Sequence, residues 1–198
     1  MSRLILASAS TVRARLLRQA GVPFEVRPAE IDEAKVKASL LAEKRDAAAI
    51  AGSLAQLKAA QISSADPQAL VLGCDQTLAF DGRLIDKSAN LVEARALLRE
   101  LRGKEHNLFT ACVLARNGAP VWRALERCSL RMRPFSDAFL DEYLQAEGDK
   151  VLGSVGCYHL EGRGSQLFER VEGDYFSVLG LPLVPLLAAL REQGIVGR

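Results

Sequence analysis

Two Asx-Gly pairs set between strand-like runs constrain this chain more than any other feature. Asp81-Gly82 follows the run from Ala69 to Phe80 and leads into Arg83-Leu84-Ile85; Asn117-Gly118 joins Leu108–Ala115 to Val121–Arg133. Such dipeptides accept positive φ and close tight hairpins between antiparallel strands. Elsewhere, short apolar runs such as Leu4-Ile5-Leu6-Ala7 and Phe24–Arg27 are separated by helical patterns. Hairpins intermixed with helices call for an α/β fold with a mixed sheet rather than a purely parallel one.

The helical spacing predicts a helix over Thr11–Gln19, stopped by Gly21 and Pro23. From about Ala34 to Ser64 the Ala, Leu, Lys and Glu composition fits two helices, the second capped by Ser53 with Leu54, Leu57 and Ile62 inward. Further helices are expected after the caps Asn90 and Ser136, and from Leu183 to Gln193, while Gly153–Gly164 reads as a glycine-rich loop. At 198 residues, a chain can bury roughly 70% of its unfolded surface. With no repeat, low-complexity tract or linker, residues 1–198 are expected to form a single domain.

Composition removes several function classes. A formal charge of +2 with aromatics at 6% offers neither a basic face nor stacking platforms, so no nucleic-acid partner is expected. The longest apolar stretch, Leu181–Leu190, is interrupted by Pro182 and Pro185, well short of the ~20 residues of a membrane span. No charged-then-apolar leader opens the sequence, and Cys74, Cys112, Cys128 and Cys157 form no CxxC pair. The expectation is a cytoplasmic protein with reduced thiols and no membrane partner. His106 and His159 are too few for a Cys/His zinc site and suit structural hydrogen bonds.

Three places could carry chemistry. In Ser8-Ala9-Ser10-Thr11-Val12-Arg13, an N-cap at Ser10 puts Arg13 where a capping box would hold Glu or Gln, and no acid occurs between Met1 and Gln19. Cations in a first turn oppose the helix dipole, and a bound anion held by Ser8, Ser10 and Arg13 would reverse that sign. Solvated surface arginines are the alternative. Asp75 ends the run Leu70–Cys74, where a buried carboxylate needs a partner. Lys87 is a candidate, although ideal hairpin pairing sets Asp75 and Lys87 on opposite faces unless a bulge or strand end intervenes. A structural ion pair would equally explain it. Glu30, Asp32 and Glu33 form an acidic loop suited to Mg²⁺ or simply to solvent. Lys58 shares a helix face with Leu54 and Leu57 and can project toward the core, Lys104 and Arg163 are less clearly placed, and Tyr158, His159 and Glu161 in the glycine-rich stretch read as ordinary loop residues.

Taken together, the motifs resemble the Maf family of nucleoside triphosphate pyrophosphatases. Leu4–Ser10 with Arg13 and Leu16-Leu17 is similar to its amino-terminal signature, and Ile31-Asp32-Glu33, Leu54/Lys58, Gly73-Cys74-Asp75, Gly82 with Lys87, and Gly180-Leu181-Pro182-Leu183 follow in the family's order. The resemblance implies an inosine-triphosphatase-like fold, with an elongated mixed sheet, flanking helices and two lobes around a central cleft. It further implies hydrolysis between the α- and β-phosphates with a divalent cation (Mg²⁺ or Mn²⁺), a nucleoside triphosphate substrate and a homodimer. On this basis Asp75 is expected to be catalytic, as general base or metal carboxylate. Ser8, Arg13, Lys58 and Lys87 are expected to hold phosphates, and Glu33 to help place metal or water.

The departures bear on the base. Val12 stands where family members often have a first arginine, Gln76 where Thr is common, and Glu161 where the dTTP/UTP-type branch carries Gln. Gln76, Glu161 and the Leu167–Gly173 segment are more similar to the 7-methyl-GTP branch, although that branch commonly has Trp at the Val12 position. A carboxylate suits a cationic methylated guanine. The expected activity is removal of 7-methyl-GTP or another modified nucleotide. The alternatives are a dTTP/UTP-type pyrophosphatase and a non-catalytic regulator of septum formation, against which the intact Ser8, Arg13, Asp75, Lys87 set speaks.

Overall fold

A computed structural model describes residues 3–197. Its central strand, β3 (Leu70–Phe80), is buried along most of its length. The strand turns at Asp81-Gly82 into β4 (Arg83–Ile85), and β5 (Glu105–Arg116) turns at Asn117-Gly118 into β6 (Ala119–Met132). All four turn residues have φ between 49° and 75°, the sign that the expected hairpin turns demand. Strands β1 (Leu4–Leu6) and β2 (Glu25–Val26) add parallel neighbours, and β7 (Phe168–Glu172) pairs with β6. The resulting mixed sheet has the order β2-β1-β3-β5-β6-β7, with β4 also beside β3.

One edge of β3 is divided between two short strands. Parallel β1 pairs with Leu70–Leu72, and antiparallel β4 pairs with Leu78–Phe80. Among the described residues, Gly73–Thr77 has β5 on one side and no strand on the other. Because β1 and β4 run in opposite directions, their C-terminal ends point toward each other across this opening. Ligands in α/β sheets gather in crevices outside the carboxyl ends of strands.

Helices cover the sheet around the opening. Helices α1 (Thr11–Gln19) and α7 (Leu183–Glu192) pack with Leu4, Leu6, Leu70 and Leu72, and α3 (Ala47–Ala65) covers Ile5, Val71, Ala111 and Val113. The far ends of β3, β5 and β6 form another core with α4 (Leu91–Leu101) and α5 (Asp137–Glu147). These cores make two lobes on one sheet.

Ser10, Asn90 and Ser136 cap helices as their sequence positions predict, each accepting a backbone N–H three residues on. Ser53 does not. The residue before α3 that caps it is Asp46, whose carboxylate accepts the Ala49 N–H at 2.8 Å, and Gly52-Ser53 lies within the helix. An interior glycine costs about 1 kcal/mol against Ala, and the apolar face Ile50, Ala51, Leu54, Ala55, Ala59 and Ile62 outweighs it. Leu57, expected inward, lies off that face and is 42% exposed. Strand β7 and the single-turn helix α6 (Tyr175–Val178) carry no clear pattern in the sequence; β7 (Phe-Glu-Arg-Val-Glu) takes its conformation from pairing with β6. All four cysteines are buried and unbridged, yet Cys74 and Cys112 face each other across β3 and β5 with their sulfurs 2.9 Å apart.

Candidate active site

The opening beside β3 leads into a cavity of about 920 Å³ lined by Ser8, Arg13, Glu33, Lys58, Asp75 and Lys87 on its charged side. Ser8 follows the end of β1, while Lys87 lies just beyond the end of β4. The register would set Asp75 opposite Ser88, but β4 pairing stops at Ile85, so the strand end that a shared site required is present. Asp75 lies in the middle of β3, where only the β5 edge is paired, and is 6% exposed.

Close contact between β3 and α3 brings Asp75 to its partner. A Cβ on Gly73 would meet the Ala55 carbonyl oxygen at 2.2 Å, so only glycine lets the two backbones approach this closely. Lys58, one turn along α3 from Leu54 and buried at 8% exposure, then reaches β3. Its ammonium donates to Asp75 Oδ1 at 2.6 Å and pairs with Glu33 Oε1 at 2.8 Å. Thus the main ion partner of Asp75 is Lys58 rather than Lys87. Burial alone would raise the Glu33 carboxyl; the hydrogen bond and charge of Lys58, followed by Lys37 and Lys87, hold it below its ordinary value.

Arg13 is fixed more rigidly than a solvated helix arginine. Its Nε donates to the Gly180 carbonyl at 2.8 Å, and Nη1 donates to Ser8 Oγ and the Cys74 carbonyl, each at 3.1 Å. Nη2 has no hydrogen-bond partner among the described residues. The guanidinium therefore ties α1, β3 and the Gly180 turn together and offers one nitrogen to a ligand. Ser8 Oγ also accepts the Ser10 N–H at 3.2 Å.

The acidic loop does not act as a unit. Glu33 opens α2 (Glu33–Ala42) and reaches the cavity, whereas Asp32 caps that helix through the Lys35 N–H at 3.0 Å. Glu30 contributes its backbone carbonyl to Gln61. Among the described residues, no three His, Cys, Asp or Glu side chains converge as a metal site. Glu33 and Asp75 alone share one ammonium, and Mg²⁺ is commonly held by one or two carboxylates plus substrate oxygens. The donor set thus fits a cation that arrives with a polyanion.

Another wall is largely apolar, formed by Leu108, Val155, Tyr158, Leu160 and Val178, and Val12, which packs in the β1 lobe, also lines the cavity. Tyr158 OH lies 2.8 Å from His106 Nε2, and the Tyr158 ring meets Phe168 edge-on at 4.8 Å. Burial pushes His106 down to about 4 and the Tyr158 phenol upward, so the pair is uncharged near neutrality. Gln76, beside Asp75, gives its amide N–H₂ to Thr110 Oγ1, Ser177 O and Val178 O at 2.8–3.1 Å, anchoring α6 behind the same wall. Glu161 lines the cavity and accepts Arg15 Nη2 at 2.7 Å.

Ser8, Val12, Arg13, Glu33, Lys58, Asp75, Gln76, Lys87 and Glu161 therefore all border this cavity, Glu30 and Asp32 do not, and the lining residues Leu108, Val155, Leu160 and Val178 carry no distinguishing pattern in the sequence. Apolar residues in a wall have the same sequence signature as those in a core. The dense glycines around Tyr158 were the available hint. A Cβ at Gly156 would lie 2.2 Å from its ring, so the loop is built tightly around that tyrosine.

A mixed-sheet α/β protein whose central strand, uncovered between two short partners, presents a carboxylate paired with a lysine is the class defined by this geometry. The chain belongs to the Maf family: the family described as "Maf-like protein" matches residues 3–193. It is 53% identical over 189 residues to a Caulobacter vibrioides protein named nucleoside triphosphate pyrophosphatase, covering 96% of this chain and 94% of that one. A Granulibacter bethesdensis protein of the same name is 51% identical over 191 residues, covering 96% and 97%. A Rhizobium meliloti protein named 7-methyl-GTP pyrophosphatase is 47% identical over 193 residues, covering 98% and 97%. No helix among the described residues is long and apolar enough to cross a membrane.

Proposed function

We propose that this protein hydrolyses the α–β phosphoanhydride bond of a nucleoside triphosphate, releasing a nucleoside monophosphate and pyrophosphate. We propose 7-methyl-GTP or another modified nucleotide as its substrate. The observation that carries this reading is the Glu33–Lys58–Asp75 cluster, seated where β1 and β4 leave β3 uncovered. A buried strand carboxylate and an ammonium at 2.6 Å form a reactive pair only if something enters the opening above them.

In this reading Lys58, Lys87, Ser8 and Arg13 Nη2 hold the phosphates, and Asp75 orients the attacking water and takes its proton. The water oxygen bonds to the α-phosphorus as the bond to the α–β bridging oxygen breaks, and pyrophosphate leaves. Phosphoryl transfer of this kind depends chiefly on positioning and charge neutralisation. Within the cavity Lys37 is paired with Asp86 and Lys58 with Glu33 and Asp75, which leaves Arg13 and Lys87 as the cations without a carboxylate partner among the described residues. A polyanion more highly charged than that pair therefore enters most favourably with a divalent cation, which Glu33 and Asp75 would hold. Such a cation would neutralise phosphate charge and acidify water. The apolar wall would receive the base and Glu161 its polar edge. A cytoplasmic homodimer completes the proposal, with the assembly readable by light scattering.

The test is a pyrophosphate-release screen over 7-methyl-GTP, UTP, dTTP, CTP and ITP with Mg²⁺ and Mn²⁺, repeated with Glu161→Gln. Release that is fastest with 7-methyl-GTP and reordered by the substitution supports the reading. An unchanged ranking removes Glu161 as selector, and absence of release from every nucleotide removes the activity.

A further inference from the structure

Arg15 and Glu161 meet across the cleft. Arg15 projects from α1, which packs in the β1 lobe, whereas Glu161 follows Leu160 in the segment that packs against α4 and α5. Their 2.7 Å contact joins side chains that are 45% and 21% exposed. Among the described residues, Arg15 is the sole cation paired with Glu161. Glu161 faces the cavity, but Arg15 does not line it.

We propose that Arg15 sets the cleft's choice between cationic and neutral purine bases by neutralising Glu161. The inference rests on reading the apolar wall as the base site. A bare carboxylate beside that wall favours a ring bearing positive charge. A carboxylate held by a partly exposed guanidinium keeps only part of its pull on a charged ring, so the pair retains a reduced preference for the cationic base while also accepting N–H donors from uncharged ones. Arg15 is thus a positioning and charge-setting residue that acts through Glu161. Removing either member leaves an unbalanced charge of opposite sign, so the two single substitutions shift preference in opposite directions. At separations of one or two side chains near a solvated surface, one unit charge changes affinity about three- to tenfold. Salt screens the effect.

The probe is the pair 7-methyl-GMP and GMP, which share the guanine amine and differ in the methyl group and the ring charge. Neither contains the bond to be cleaved, so binding is read independently of catalysis. Calorimetric affinities are measured at low ionic strength for the full chain, Arg15→Gln, Glu161→Gln and the double variant. The 7-methyl-GMP to GMP affinity ratio should rise about three- to tenfold in Arg15→Gln and fall by a similar factor in Glu161→Gln. In the double variant it should return to within about twofold of the starting value. The shifts should shrink in about 0.5 M salt, which a change in packing would not produce.

An unmoved ratio in Arg15→Gln, or single substitutions shifting it in the same direction, overturns the proposal. So does failure of either monophosphate to bind the unsubstituted protein. Pyrophosphate release measured in parallel separates the two levels. Turnover with an unmoved ratio rejects only the role of Arg15, whereas absence of both binding and turnover rejects the nucleotide reading beneath it.

Discussion

The two walls of the cleft are built on opposite terms. On the β3–α3 side, Asp75, Lys58 and Glu33 are joined by charge at 2.6 and 2.8 Å. On the other wall, Tyr158 and His106 are joined by one uncharged hydrogen bond and surrounded by apolar side chains. Asp75 and Lys58 are buried charges that need one another, and half-exposed Glu33 holds the same ammonium from the cavity side. The second wall is held by shape, with Gly156 leaving room for the Tyr158 ring. Such a division suits a ligand with a charged end and a flat, weakly polar end.

The comparison can be broken most severely at Asp75. Asp75→Asn should lower pyrophosphate release by about 10²–10⁴-fold with the fold retained, because Lys58 keeps its contact with Glu33. Full activity in that variant would remove Asp75 from the chemistry. Lys58→Met should lower stability by about 3–5 kcal/mol in a denaturant titration, since it leaves the Asp75 carboxylate buried without its cation. A loss below about 1 kcal/mol would mean that water, rather than Lys58, balances that wall.

The second wall responds to pH. The folded state keeps His106 neutral down to about 4, whereas the unfolded chain protonates it near its ordinary value of 6.5. Stability should therefore fall as pH drops from about 6.5 to about 4, with His106 contributing about 3 kcal/mol of the loss and nothing further below that window. Comparing melts of the parent and His106→Gln across this range isolates the contribution; parallel curves would show that His106 protonates freely in the fold. The smallest effect is expected from Tyr158→Phe, which keeps the ring but removes the partner of His106 Nε2. It should cost about 1–3 kcal/mol while leaving turnover nearly unchanged, since the apolar surface toward the cleft is preserved. A large loss of turnover with unchanged stability would give the Tyr158 hydroxyl a direct part in binding.

The same contrast explains what could be read from the sequence. Asx-Gly turns, helix caps and the acid-free first helix are local signals, and they placed β3, β4, β5, β6 and α1 correctly. The charged wall was legible because a carboxylate at the end of an apolar run, as at Asp75, needs an explanation. Its partner was misread: Lys87 is near in sequence along the hairpin, whereas Lys58 arrives through the long-range contact at Gly73. The start of α3 was misplaced because Gly52-Ser53 resembles a boundary, although the helix simply tolerates it. Leu108, Val155 and Val178 were invisible as a wall since nothing local distinguishes lining a cleft from filling a core. The Arg15–Glu161 pair lay beyond reach for the same reason, with 146 positions separating its members.

The central claim is that the charged wall directs water to the innermost phosphorus of a triphosphate. Hydrolysis in heavy-oxygen water, with both products analysed by mass spectrometry, tests it most directly. The account predicts one labelled oxygen in the nucleoside monophosphate and none in the pyrophosphate at early times. Label in the pyrophosphate, or release of inorganic phosphate as the first product, would contradict it.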